Sequence, residues 1–200
     1  KQKNALITGG SRGIGRAIGE EFARRGAGVA LLARTPDNLQ EAADHIRTDV
    51  PGAEVTTVEA DVSDREVVDE AIRTAISRMG HIDILVNSAG IASLGEIDQM
   101  APEEWERMIQ VNLMGVYHCC RTLWPHFKER RNGSIINISS GSGRRAHGGW
   151  TAYCASKFGV MGLADALAKE GRPHGIRCNI ICPGPTDTDQ RRANFPDEDR

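Results

Sequence analysis

One pattern limits the folds open to this 200-residue chain more than any other: short apolar runs alternate with longer amphipathic stretches. Strands that are connected through helices pair in parallel, and right-handed crossovers place those helices on both faces of the sheet. The sequence therefore predicts an α/β fold with a doubly wound parallel sheet, formed by one domain over residues 1–200. The six expected strands are 4–8, 29–33, 55–59, 82–87, 134–139 and 176–182.

Composition argues against several kinds of function. The net charge is −2, which gives no electrostatic basis for binding nucleic acid or an anionic membrane surface. No apolar run reaches the roughly 20 residues that span a bilayer. The five cysteines fall within predicted helices and strands, which is typical of reduced, buried thiols in a cytoplasmic protein. No metal site is expected, because the adjacent His118, Cys119 and Cys120 would point about 100° apart on a helix.

Polar residues and glycines follow nearly every predicted strand. In an open doubly wound sheet, ligands bind in the crevice beyond the carboxyl ends of the strands. Packing alone does not account for so many residues of this kind along one edge, so we expect a ligand site there. The residues and segments concerned are Gly9–Gly15, Arg34, Asp61, Asn87–Gly90, Ser140 and Pro183–Thr188.

The loop after the first strand is rich in glycine. Missing side chains allow a pyrophosphate to approach the backbone, and the following helix offers free N–H groups and the positive end of its dipole. The glycine spacing differs from G-x-G-x-x-G, so the cluster alone is weak evidence for nucleotide binding. Its place between a strand and a helix nevertheless predicts a nucleotide site. The expected contacts are Gly9, Ser11, Arg12, Gly13, Ile14 and Gly15.

The end of the second strand bears on which nucleotide is bound. An acidic residue there would bind a ribose 2′-hydroxyl, but this chain has Ala33 followed by Arg34. Arg34 and Arg12 could instead bind a 2′-phosphate, which predicts NADP(H) over NAD(H); alternatively, both guanidinium groups point to solvent. Beyond the third strand, Asp61 and Val62 are expected at the adenine edge. Small residues after the fourth strand would let the adenosine ribose lie close, and the residues selected there are Asn87, Ala89 and Gly90.

Tyr153 and Lys157 are the candidate reactive pair. They are four residues apart, which on a helix places both side chains on one face. A cation beside a phenol favours the phenolate, so we expect Lys157 to lower the pKa of Tyr153. Ser140, at a preceding strand end, could hold a substrate oxygen against the phenol. Such Tyr and Lys pairs are also common on ordinary surface helices, so the case depends on the other motifs.

The ordered motifs resemble those of the short-chain dehydrogenase/reductase family, and within it the reductases of 3-oxoacyl-acyl-carrier-protein type. The resemblance implies a Rossmann fold that binds NADP(H). The motifs are TGGSRGIG (8–15), DV (61–62), NSAG (87–90), Asn112, ISS (138–140), YCASK (153–157) and PGPTDT (183–188).

The resemblance also implies catalytic roles. Tyr153 would be the general acid, Lys157 would bind the nicotinamide ribose and lower the pKa of Tyr153, and Ser140 would hydrogen-bond the substrate oxygen. Asn112 would anchor a water in a proton relay, although a purely structural hydrogen bond between helices is the alternative. Further cofactor contacts are expected from Pro183, Gly184, Thr186 and Thr188.

The implied function is hydride transfer between NADP(H) and a carbonyl or secondary alcohol, as in a 3-oxoacyl-thioester reductase. An NAD(H)-dependent sugar or hydroxysteroid dehydrogenase and a non-catalytic NADP(H)-binding redox sensor are the alternatives. The family implies a homodimer or homotetramer, and Arg131 and His174 fall where its carrier-protein reductases keep basic docking residues. The family usually continues into a seventh strand, and nothing like it follows Arg200, so six strands are predicted with residues 188–200 as the start of a mobile substrate lid.

Overall fold

The computed structural model describes residues 2–196, and the central feature of those residues is a six-stranded parallel sheet. The spatial order is β3-β2-β1-β4-β5-β6. The predicted α/β fold with a doubly wound parallel sheet of six strands is confirmed. The strands are β1 (Asn4–Thr8), β2 (Gly28–Ala33), β3 (Val55–Glu59), β4 (Ile84–Asn87), β5 (Gly133–Ile138) and β6 (Ile176–Ile181).

Helices connect the strands and cover both faces of the sheet. Local sequence explains several of their starts: Pro36 opens one helix, and the Asp64 carboxylate caps another by accepting from the N–H groups of Glu66 and Val67. The helices are α1 (Gly13–Arg24), α2 (Pro36–Asp49), α3 (Arg65–Met79), α4 (Pro102–Ile109), α5 (Gly115–Arg130), α6 (Thr151–Gly171) and α7 (Asp189–Asn194). None of the helices within residues 2–196 has the length and apolar character needed to cross a membrane.

The helical segment from Pro102 to Arg130 departs from regular α-helix at one place. A proline inside a helix often bends or ends it, but α5 continues past Pro125 to Arg130. The irregularity is a π-helical turn at Gln110–Met114, between α4 and α5. A π turn inside a long helix is often found at a functional site, and this one contains Asn112.

The core has two layers, one on each face of the sheet. Leu6 and Ile7 are successive residues of β1, so their side chains point to opposite faces, and both are completely buried. Leu6 belongs to the layer that packs under α3, α5 and α6, whereas Ile7 belongs to the layer under α1 and α2. Burial on both faces explains why β1 and β2 read as unbroken apolar runs.

The strand order fixes where a ligand can enter. The chain runs outward from β1 to β2 and β3, and then returns to β4 on the other side of β1. The connections after β1 and β4 therefore leave in opposite directions, and a crevice opens between them at the carboxyl ends.

Candidate active site

A cleft of about 720 Å³ lies at the carboxyl ends of the strands. It brings together nearly all of the residues that the sequence selected. Asn87 and Asn112 are the two predicted site residues that are not among its lining. The selected residues that line it are Gly9, Ser11, Arg12, Gly13, Ile14, Gly15, Arg34, Asp61, Val62, Ala89, Gly90, Ser140, Tyr153, Lys157, Pro183, Gly184, Thr186 and Thr188.

The glycine loop packs directly against the loop that follows β4. Gly9 has φ +65°, and a Cβ placed on it would lie 2.8 Å from the Cα of Ala89. A Cβ on Gly15 would lie 2.3 Å from the carbonyl oxygen of Gly9. Only glycine fits at either position, so the absent side chains bring the backbones of the two loops together at one end of the cleft.

Thr8 joins the same two loops and was missed by the sequence analysis. Its Oγ1 accepts hydrogen bonds from the N–H groups of Ser88 and Ala89, both at 3.1 Å. The available signal was a single polar residue at the end of an apolar strand. Its side chain fixes the separation of the two strand ends that flank the crevice.

The amino end of α1 faces this cleft, and no acidic side chain of its first turn neutralises the positive end of the helix dipole. Arg12 is the N-cap residue and makes no side-chain capping hydrogen bond, and the first turn contains no acidic residue. The first N–H groups and the positive end of the helix dipole therefore suit an anionic ligand such as a pyrophosphate.

Arg34 and Asp61 face each other in the cleft, after the carboxyl ends of β2 and β3. The Arg34 Nη1 lies 3.9 Å from the Asp61 Oδ2, so the guanidinium is directed along the rim although its side chain is 54% exposed. Asp61 also accepts hydrogen bonds from the Ser63 N–H at 2.9 Å and from Arg107 at 2.6 Å. Burial opposes ionisation of Asp61, but these hydrogen bonds together with the Arg107 charge hold its pKa below the ordinary value.

Tyr153 on α6 and Ser140 after the end of β5 both line the cleft. Burial raises the pKa of Tyr153, and the neighbouring Ser140 hydroxyl offsets part of that rise. The expected lowering by Lys157 is not observed. The physical reason is that the phenol is largely removed from water, which disfavours the phenolate.

Lys157 is held below the phenol rather than in contact with its oxygen. The Nζ lies 5.7 Å from the centroid of the Tyr153 ring and donates to the carbonyl oxygen of Ile138 at 3.0 Å. The Lys157 side chain is buried, and burial lowers its pKa to about 8. Ser139 supports the same turn of α6, because its hydroxyl donates to the Lys157 carbonyl oxygen at 3.2 Å.

Asn112 lies behind the cleft and ties the loop after β4 to α6. Its Oδ1 accepts from the Ile91 N–H at 2.8 Å, and its Nδ2 donates to the Ile91 carbonyl at 2.9 Å and to the Ser156 Oγ at 3.1 Å. The Ser156 hydroxyl in turn donates to the carbonyl oxygen of Tyr153 at 2.8 Å. The hydrogen bonds of this side chain therefore position the loop and the helix that carries Tyr153 and Lys157.

The Asn87 side chain points away from the cleft lining. It is buried, and its Nδ2 donates to the Asn137 Oδ1 at 2.8 Å and contacts the Cys120 Sγ at 3.4 Å. The Asn87 side chain therefore does not line the predicted cofactor site.

An aromatic cluster beside Tyr153 was also missed. Trp150 meets the Tyr153 ring edge-on at 5.7 Å between centroids and stacks on Phe195 at 5.6 Å. Phe195 immediately follows α7, and the Asn194 Nδ2 donates to the Ala92 carbonyl at 3.3 Å. The segment predicted as a lid therefore contacts both walls of the cleft, while residues 197–200 of that segment lie outside the described residues.

The sheet order and the Tyr, Lys and Ser arrangement define an oxidoreductase with a Rossmann fold. The family model described as short chain dehydrogenase matches residues 3–199, so the chain belongs to the short-chain dehydrogenase family.

Similar proteins include two curated reductases. The chain is 37% identical over 183 residues to the 3-oxoacyl-[acyl-carrier-protein] reductase FabG of Staphylococcus epidermidis, covering 91% of this chain and 74% of that protein. It is 37% identical over 191 residues to the FabG of Chlamydia muridarum, covering 96% and 77%.

Solved structures give the same fold. Levodione reductase superposes with a TM-score of 0.94 at 32% identity, covering 96% of this chain and 75% of that one. A variant of actinorhodin polyketide ketoreductase with NADPH superposes with a TM-score of 0.93 at 30% identity, covering 98% and 76%.

Proposed function

We propose that this protein transfers hydride between NADP(H) and a carbonyl or secondary alcohol, with 3-oxoacyl thioesters as its substrate class. The observation that carries the proposal is the placement of Tyr153 and Ser140 in one cleft lining, with the buried Lys157 5.7 Å from the centre of the Tyr153 ring and the glycine loop in the same cleft. The substrate class is supported by the similarity to 3-oxoacyl-[acyl-carrier-protein] reductases.

The residues present suit a dinucleotide. The cradle formed at Gly9 and Gly15 would be filled by a Cβ, and the amino end of α1 has no capping side chain or acidic first turn. These features would hold a pyrophosphate. Arg34 and Arg12 line the adenosine end, and the residue before Arg34 is an alanine rather than a carboxylate, which favours a 2′-phosphate.

In the direction of reduction, NADPH supplies the hydride when bound. The Tyr153 hydroxyl donates its proton to the carbonyl oxygen of the substrate, and the Ser140 hydroxyl donates a hydrogen bond to the same oxygen. The Lys157 ammonium would bind the hydroxyls of the nicotinamide ribose. Asn112 acts by positioning the loop at Ile91 and the helix that bears the other residues.

The protein is further proposed to be a cytoplasmic homodimer or homotetramer. All five cysteines are free thiols, which suits a reducing compartment. Tyr117 on α5 and Phe158 on α6 are 41% and 44% exposed, and these helices offer apolar surface to a second subunit. Arg131 and His174 are the candidate docking residues for an acyl carrier.

The test uses purified protein with NADPH or NADH and a panel containing a 3-oxoacyl thioester, a cyclic ketone, a sugar and a hydroxysteroid. We expect NADPH oxidation with the thioester. Tyr153→Phe should reduce turnover by at least about 100-fold and leave the Kd for NADPH unchanged. Tyr117→Phe, which removes the other tyrosine hydroxyl of the chain, is the matched control. Normal NADPH binding without turnover on any substrate would instead favour the redox sensor.

A further inference from the structure

Arg107 makes the tightest contact of the Asp61 carboxylate, although it does not belong to the cleft lining. It reaches across from α4, where its Nη2 donates to the Asp61 Oδ2 at 2.6 Å and its Nη1 donates to the Ser63 Oγ at 2.8 Å. The Ser63 hydroxyl donates to the Asp61 Oδ1 at 2.7 Å. Arg107 and Ser63 thus hydrogen-bond both oxygens of the Asp61 carboxylate.

The position of Asp61 creates a conflict with an anionic ligand. Its Oδ2 is the atom that lies 3.9 Å from the Arg34 Nη1, and Arg34 is the candidate ligand of a 2′-phosphate. A free carboxylate would hold Arg34 by its charge and would repel a phosphate that approached the same guanidinium. Because the same oxygen accepts a hydrogen bond from Arg107, which is not among the cleft-lining residues, part of its charge is already compensated from outside the lining.

We propose that Arg107 is a positioning residue that sets the coenzyme preference: by pairing with Asp61 it leaves Arg34 available to the 2′-phosphate of NADP(H). The inference rests on the proposed function. Arg107 acts through Asp61 and makes no contact with the cofactor. NADH lacks the phosphate, so its binding does not depend on this charge balance.

The test measures the Kd values of NADPH and NADH by titration calorimetry at low ionic strength, where charge effects are least screened. Arg107→Gln is expected to raise the Kd for NADPH about tenfold and to change the Kd for NADH less than about twofold. Arg107→Lys keeps the charge and should restore most of the preference, although the fork geometry is lost.

A double variant tests whether Arg107 acts on NADPH binding through the charge of Asp61. Asp61→Asn with Arg107→Gln removes both charges, and the ratio of the two Kd values should return close to that of the unaltered protein. Using the ratio cancels any loss of adenine contacts that both cofactors share. Arg73→Gln is the control, because Arg73 pairs with Glu70 on α3 in an exposed ion pair outside the cleft lining.

Three results would overturn the inference. Equal weakening of NADPH and NADH in Arg107→Gln would assign a general structural role, and unchanged Kd values for both cofactors would assign none. A double variant as impaired as the single one would show that the Asp61 charge is not the intermediary. If the unaltered protein does not prefer NADPH over NADH, the proposed cofactor is wrong. That outcome differs from one in which the protein prefers NADPH and Arg107→Gln leaves this preference unchanged.

Discussion

The Lys157 ammonium lies 5.7 Å from the centre of the Tyr153 ring, and the packing of α6 against β6 and against residues 141–143 buries Lys157 and partly buries Tyr153. Burial disfavours the charged form of each side chain, so it raises the pKa of Tyr153 and lowers that of Lys157 to about 8. Burying Lys157 in its charged form, in the arrangement that suits proton transfer, therefore lowers the free energy of unfolding of the cofactor-free protein.

The first prediction concerns that cost. The Lys157 pKa is about 8 in the folded protein and near its ordinary value of 10.5 in the unfolded chain, so the unfolded chain binds more protons between these values. Lys157 should therefore contribute a rise in the free energy of unfolding from about pH 8 to 10.5, against an opposite contribution from the thiols of Cys119 and Cys178, whose pKa values burial raises to about 12 and about 11. At neutral pH the buried charge costs roughly 3 kcal/mol.

Lys157→Met should remove that rise in stability with pH, increase the free energy of unfolding at pH 7 by roughly 1–3 kcal/mol, and abolish turnover. Urea unfolding from pH 7 to 10.5 measures the effect. Lys169→Met is the control, since Lys169 is exposed and pairs with Asp165 on the same helix. A pH profile shared by Lys157→Met and the unaltered protein would contradict the assignment.

The second prediction concerns Asn112. Asn112→Leu should destabilise the fold by about 2–4 kcal/mol, because it leaves the polar backbone groups of Ile91 without their partners. It should also lower kcat more than it raises KM, since the loop and α6 are no longer tied together. Chemical unfolding and steady-state kinetics measure the two effects. Ser156→Ala removes one of the three Asn112 bonds together with the Ser156 bond to the Tyr153 carbonyl, and it should cost about 1–2 kcal/mol; an equal cost for both variants would contradict this account.

The third prediction concerns the aromatic contact across the cleft. Phe195→Ala removes the stack on Trp150 and should raise the KM for the carbonyl substrate about two- to tenfold, with the Kd for NADPH unchanged. Steady-state kinetics and cofactor titration separate the two effects. Val67→Ala, at an exposed position of α3 outside the cleft lining, is the control. A raised Kd for NADPH with unchanged KM would place the segment over the cofactor instead.

Local sequence was sufficient to predict the parts of the site that lie within one connection. The glycine loop between β1 and α1 and the spacing of Tyr153 and Lys157 on α6 are each set by a few consecutive residues, and the structure has both. The fold class followed from the alternation of strands and helices, since parallel pairing leaves few topologies.

Contacts between distant residues could not be predicted in the same way. Arg107 and Asp61 are separated by 46 positions, and their contact depends on how α4 docks beside β3. The direction of the Tyr153 pKa was wrong for a related reason: the position of Lys157 was inferred from helical spacing, whereas the degree of burial depends on the surrounding tertiary packing.

The last prediction concerns Asp83, at the opposite end of the sheet from the cleft. Its side chain is 4% exposed and accepts hydrogen bonds from the Asn4 N–H at 3.0 Å, from Arg130 at 3.2 Å and from Asn132 at 3.1 Å. The carboxylate thus joins the starts of β1 and β4 to the end of α5. Burial opposes its ionisation, but the Asn4 hydrogen bond and the neighbouring cations hold its pKa below the ordinary 3.8.

Asp83→Ala should lower the free energy of unfolding by about 3–5 kcal/mol, because it leaves buried donors and a cation without their partner. The Asp83 pKa is depressed in the folded state, so its contribution to stability is present above pH 3.8 and is lost as the pH falls through the folded value. Urea unfolding between pH 2.5 and 7 measures both effects, with Asp165→Ala, an exposed partner of Lys169, as the control. Since Asp83 lies away from the cleft, the variant that remains folded should keep its Kd for NADPH, and a weakened Kd would mean that this end of the sheet also positions the site.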